Sequence, residues 1–161
     1  MILHAGLIAL RLEGHWRGVL IEGPSGSGKS DLAIRALDEG FRLVADDRTL
    51  IFNARARLFG RAPPALRGLI EVRGLGVLRE PSIALAEIVL SARCVDDPGG
   101  VARFPPPMSE RRLDSNIPGF DLWPFEPAAP AKLRRALEYL GAHRQRGYDP
   151  AFAEGPGRDG M

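Results

Sequence analysis

The residues with the plainest chemistry are Gly23, Pro24, Ser25, Gly26, Ser27, Gly28, Lys29 and Ser30, which fill every fixed position of the pattern G-x-x-x-x-G-K-[ST]. Glycines there let successive backbone N–H groups turn inward on an anion, and a helix starting at the end of the loop adds its N-terminal dipole. Lys29 has the reach for the β- and γ-phosphates of a nucleotide, and the Ser30 hydroxyl suits Mg²⁺. Phosphoryl transfer also needs a group that orients or deprotonates the acceptor. The adjacent carboxylates Asp46 and Asp47 are the candidates. Neighbours on an extended strand point to opposite sides, so one can fix Mg²⁺ or its waters while the other accepts a proton. The plainer reading of the same pair is a solvated turn before Thr49.

A third set is Glu71 and Arg73, which flank Val72 and would share one face of a strand. They are either a surface ion pair, which would contribute little, or site residues. His4 reads as a partly exposed strand residue, and His15 and His143 fall in loops with no assigned role. With one cysteine, Cys94, and three histidines, neither a disulfide framework nor a zinc site is expected. Cys94 lies in an apolar run and reads as a buried, inert thiol.

These residues need particular elements to hold them. Gly18–Glu22 is short and apolar and reads as a buried strand leading into the glycine-rich loop. Leu32, Ala33, Ala36 and Leu37 recur at helical spacing, so a helix is expected over about 29–39, closed by Gly40. Phe41–Ala45 then climbs back as a strand of matching length. A right-handed crossover would bring its end, Asp46-Asp47, level with the loop, where strands of an α/β sheet bind ligands. Before the loop, Ile2 to Leu10 suggests a first strand, with Glu13–Gly18 as the turn. After it, 49–62 reads as a hairpin, 69–73 as a short strand followed by the flexible turn Gly74-Leu75-Gly76, and 88–95 as a strand. Residues 103–130 are proline-rich and read as irregular, and Lys132–Ala142 as an amphipathic helix. The fold class is therefore α/β: a P-loop nucleotide-binding core with a mixed sheet and additional antiparallel strands.

The chain has 161 residues and ordinary apolar and charged fractions, so residues 1–143 are expected to form one domain, the P-loop catalytic domain if the loop and carboxylates carry out phosphoryl transfer. Residues 144–161, rich in Gly, Pro and charge, read as a disordered tail. A formal charge of +2 gives no reason to expect nucleic acid. No apolar run is long enough to span a membrane and the first residues carry no basic leader, so no membrane and a cytoplasmic location are expected.

Together, the glycine-rich loop, Leu43-Val44-Ala45-Asp46-Asp47 and Glu71-Val72-Arg73-Gly74-Leu75-Gly76-Val77 resemble the HPr kinase/phosphorylase family in order and spacing. The resemblance covers about residues 1–95 and suggests the short form with the catalytic domain alone. It implies an HPr kinase/PEP carboxykinase-like fold, ATP and Mg²⁺ as cofactors, and a seryl residue of the phosphocarrier protein HPr as acceptor. By resemblance, Lys29 contacts the phosphates and Ser30 and Glu71 hold Mg²⁺ with help from Asp46. Asp47 takes the serine proton, His4 matches a site histidine, Arg73 lies in the catalytic signature, and Arg103 stands for a later catalytic arginine. It also implies a homo-oligomer, a hexamer. The family's Pro-x-Arg-Pro-Gly-Arg-Asn segment, tied to phosphorolytic reversal, has no match; Trp123–Pro130 stands there instead. Kinase activity is thus the expectation, and its reversal stays open.

Two other readings share the loop. A small-molecule P-loop kinase would need an arginine-bearing lid, for which 103–130 is the candidate segment. A non-catalytic ATP-binding regulatory protein would be expected to lack the carboxylates, yet Asp46 and Asp47 are both present.

Overall fold

Strands β2 (Ala5–Leu12) and β3 (His15–Glu22) pair antiparallel from Ala5↔Glu22 to Leu12↔His15 and form the centre of the sheet. Their near-continuous apolar runs mean burial on both faces. Ile8, Leu10, Val19 and Ile21 pack on one side, and Leu7, Ala9 and Leu20 on the other. The connecting turn is just Glu13-Gly14, both with positive φ (51° and 80°), which matches the twist of a two-residue hairpin. The longer turn expected to Gly18 is therefore wrong: His15, Trp16 and Arg17 pair with Leu12, Arg11 and Leu10.

This computed structural model describes residues 1–141. The expected tail at 144–161, and the end of the last helix at Ala142, lie outside them. Helix α1 (Lys29–Leu37) follows the glycine-rich loop, and β4 (Arg42–Ala45) returns to pair with β2. Both β3 and β4 run antiparallel to β2, so they run parallel to each other and end at the same edge.

The first strand is not continuous. β1 (Ile2–Leu3) pairs with β5 (Thr49–Ala54), whereas β2 pairs with β3 and β4, and the chain changes partner at His4. His4 therefore sits at a bend, not on a strand. β5 and β6 (Arg57–Arg61) form the expected hairpin. Next, β7 (Leu69–Val72) and β8 (Gly76–Arg79) make a separate two-stranded sheet, so residues 73–75 are the tip of a hairpin. Arg73 falls in that tip, beyond the strand, and does not share a strand face with Glu71.

β9 (Ala86–Cys94) has β3 as a parallel neighbour on one edge; on the other, β6 pairs with its start and β11 (Ser115–Leu122) with its end. β11 also pairs antiparallel with β10 (Met108–Arg112). Residues 103–130 are thus not irregular throughout. Pro118 fits because its stretch of β11 has β10 on one side only, which suits a missing N–H. Among the described residues, nine strands form this mixed, curled sheet. Inside the curl, a Cβ on Gly60 would stand 2.6 Å from Leu7 Cδ2 and 2.9 Å from Ile88 Cδ1, so any larger residue there would have to displace side chains of β2 and β9.

Helix α2 (Ala129–Ala136) starts earlier than expected, with Pro130 in its first turn where no N–H is needed, and continues as a π-helical turn, Leu137–Gly141. Helices α1 and α2 cover one face of the sheet through Leu32, Ala36, Leu133 and Leu137, and the curl of β5, β6 and β9 covers the other. No helix among the described residues is long and apolar enough to cross a membrane.

Candidate active site

The loop that follows β3, the turn after β4 and the β7–β8 hairpin meet around a cavity of about 470 Å³. Its walls include Ser25, Gly26, Gly28, Lys29, Ser30, Asp46, Asp47, Glu71, Arg73 and Phe125. Seven of these ten come from two short motifs because strand, turn and helix put consecutive residues at one edge.

The glycine-rich loop has the backbone its composition expects. Gly26 and Gly28 sit at φ 80° and 96°, in the left-handed region, and no side chain caps the first turn of α1. The helix N-terminus therefore faces the cavity with its orphan N–H groups and positive dipole end. Lys29 is 8% exposed, and its Nζ donates to the carbonyls of Gly23 (2.7 Å) and Pro24 (3.0 Å). A cation held beside free amides fits an anionic ligand such as a polyphosphate.

The two aspartates diverge, although not by strand alternation. Asp46 turns inward: Ser30 Oγ donates to its Oδ1 (2.8 Å) and the Glu71 N–H to its Oδ2 (3.0 Å). Asp47 follows the strand at φ 65°, and Arg48 N–H donates to Asp46 O (2.7 Å), closing a three-residue turn about it. Such a turn is strained, and strain of this kind collects at functional sites. It leaves Asp47 52% exposed, with His4 Nε2 3.3 Å from its Oδ1; the same nitrogen lies 3.4 Å from Ser25 Oγ.

Burial pushes the Asp46 carboxyl above its ordinary range, against the bonds from Glu71 and Ser30, and the nearby charges of Asp47 and Glu71 push the same way. A crowd of like charges with a hydroxyl at hand fits a divalent cation. No three His, Cys, Asp or Glu side chains among the described residues converge into a metal centre.

The sequence-derived candidates thus mostly converge. His4, Lys29, Ser30, Asp46, Asp47, Glu71 and Arg73 gather at one cleft. Arg103 does not line it; its guanidinium stands over the Phe104 ring at 5.3 Å. Cys94 is buried and its thiol is pushed up to about 11 by that burial, as an inert thiol should be. Phe125, which no motif in the chain marks, also joins the cleft, its ring tip reaching Gly28. Glu22, at the foot of the loop, is likewise unmarked; it takes two bonds from Arg112 Nη2 (both 2.8 Å) and one from the Ser91 hydroxyl. Spacing carries no signal for either, since the partners lie far apart in the chain.

Comparison with known proteins decides the family. The family described as "HPr Serine kinase C-terminal domain" matches residues 3–87, more than half of the chain. The chain belongs to this family. An HPr kinase/phosphorylase from Clostridium tetani is 41% identical over 78 residues, 48% of this chain and 26% of that protein. One from Pediococcus pentosaceus is 47% identical over 68 residues, 42% of this chain and 22% of that protein. The chain thus aligns with about a quarter of the length of these curated relatives. The solved Hpr(Ser) kinase/phosphatase from Coxiella burnetii superposes with a TM-score of 0.73 at 24% identity, covering 86% of this chain and 94% of that one. The shared fold therefore extends well past residue 87.

Proposed function

We propose that this chain is an ATP-dependent protein-serine kinase that phosphorylates a seryl residue of the phosphocarrier protein HPr. The observation that carries the reading is the divergence of the two aspartates: Asp46 is tied to Ser30, while Asp47 stands exposed at the cavity mouth beside His4. Lys29 and the loop N–H groups hold the triphosphate. Ser30 and Asp46, with Glu71 near, would hold Mg²⁺, which when bound would supply charge neutralisation for the transferred group. Asp47 accepts the proton as the serine O–H bond breaks; the serine oxygen bonds to the γ-phosphorus, and the bond to the β-phosphate oxygen breaks to release ADP. His4 orients the Asp47 carboxylate, and Arg73 borders the acceptor side. Exposure of Asp47 supports an acceptor that arrives on another protein, because a small metabolite would call for a closed pocket.

The test is incubation with γ-labelled ATP, Mg²⁺ and HPr, beside a panel of small metabolites and an arm with added inorganic phosphate. Labelled phosphoserine on HPr supports the reading. Label on a metabolite, or tight ATP binding with no transfer, overturns it. Loss of label on adding inorganic phosphate would establish the phosphorolytic reversal as well.

A further inference from the structure

Three parallel strands, β3, β9 and β11, end at the edge that carries the glycine-rich loop; the register sets Glu22 beside Arg93 and Cys94 beside Leu122. The segment leaving β11, Trp123–Glu126, is therefore delivered next to the loop. There the tip of the Phe125 ring reaches Gly28: a Cβ on that glycine would stand 2.7 Å from Phe125 Cζ. Phe125 nonetheless stays 52% exposed and forms part of the cavity wall. The segment is held firmly. Arg35 of α1 donates to the carbonyls of Pro124 and Glu126, Lys132 of α2 pairs with Glu126 at 2.5 Å, and Trp123 meets Phe125 edge-on at 6.5 Å. A half-exposed aromatic ring fixed by two helices is a preorganised platform, with little left to order on binding.

We propose that Phe125 is the surface on which the base of the bound nucleotide stacks, an inference that rests on the nucleotide reading above. The cavity has a direction. Asp46, Asp47 and Glu71 stand on the β4 and β7 side of the loop, and Phe125 stands on the β11 side. The reacting phosphate must lie toward Asp47, so the rest of the nucleotide extends toward the opposite wall. The ring offers a π-face and no donor or acceptor, and the carbonyls beside it already serve Arg35. Stacking alone does not distinguish bases, so adenine and guanine nucleotides should bind with similar affinity.

The test compares the wild type with Phe125→Ala and Phe125→Trp by equilibrium titration with ATP, GTP and inorganic tripolyphosphate, each with Mg²⁺. Losing one stacking ring should weaken ATP and GTP about fivefold or more. Tripolyphosphate, which has no base, should bind the alanine variant as it binds the wild type, which also shows that the variant is folded. The tryptophan variant should match or exceed the wild type. Unchanged ATP affinity in the alanine variant overturns the proposal. So does an equal loss for ATP and tripolyphosphate, which would mean that the ring merely props the loop. If the wild type binds neither, the nucleotide reading fails and takes the platform with it; if tripolyphosphate binds but Phe125→Ala leaves ATP unaffected, the platform alone fails.

Discussion

At one end of the cavity, Asp46, Asp47 and Glu71 come from strand ends and a hairpin inside residues 3–87, the part that matches the family. At the other end, Phe125 comes from a proline-flanked loop outside that part and is held by Arg35 and Lys132. The acidic end depends on charge and backbone turn: substituting a single atom group there should change chemistry and leave the fold alone. The aromatic end depends on long-range packing, so changes there should alter binding in proportion to what the ring covers.

The strongest way to break this contrast is Lys29→Ala. It removes the cation that serves both ends, and transfer should fall about 10²- to 10³-fold, as for loss of one transition-state donor. Steady-state phosphorylation of HPr checks this, and a near-normal rate would remove Lys29 from the site.

Next is a pair of glycine variants. Gly26→Ala and Gly28→Ala both force alanine to a left-handed φ, costing about 1–2 kcal/mol. Open space surrounds Gly26, whereas Gly28 would also collide with Phe125. Gly28→Ala should therefore lower the Tm further and weaken ATP more than Gly26→Ala. Equal effects would mean that the ring is not lodged against the loop.

Asp46→Asn sharpens the acidic end. Because burial raises this carboxyl in the folded protein, its contribution to stability is full below the ordinary value of 3.8 and is lost as pH rises through the raised value. At neutral pH without Mg²⁺ the variant should match or exceed the wild type in Tm, while Mg²⁺ with nucleotide should stabilise the wild type more. Thermal melts across pH, with and without Mg²⁺, read both effects. Arg35→Ala, the mildest change, frees two carbonyls of the Phe125 segment and should cost about 1 kcal/mol of ATP affinity with kcat unchanged.

How much of this was legible in the chain follows the same division. Loop, helix and returning strand were readable because the motif, the helical spacing and the β-branched runs are local. So was the arrival of Asp46-Asp47 beside the loop, since matched lengths of helix and strand leave little choice; the bond between Ser30 and Asp46 was not. The bend at His4 was not, because β1 leaves the line of β2 to pair with β5, a choice made by a segment far along the chain. Nor were β10 and β11: their prolines argue for irregular chain, and only the vacant half-edge of β9 makes room for a strand holding Pro118. Glu22 looked like the last residue of a strand, and its role as partner of Arg112 and Ser91 arises from that same late strand pair. Phe125 followed suit.

The central claim is that Asp47 does the proton chemistry and little else. Asparagine tolerates the left-handed φ of 65° as aspartate does, so Asp47→Asn keeps the turn and removes the charge. The decisive measurement is a single-turnover transfer from ATP to HPr by wild type and Asp47→Asn, with ATP affinity titrated in parallel. With Asp47 as the base, transfer should fall about 10²-fold or more with ATP affinity essentially unchanged. Transfer at the wild-type rate, or a loss that simply tracks weaker ATP binding, would contradict it.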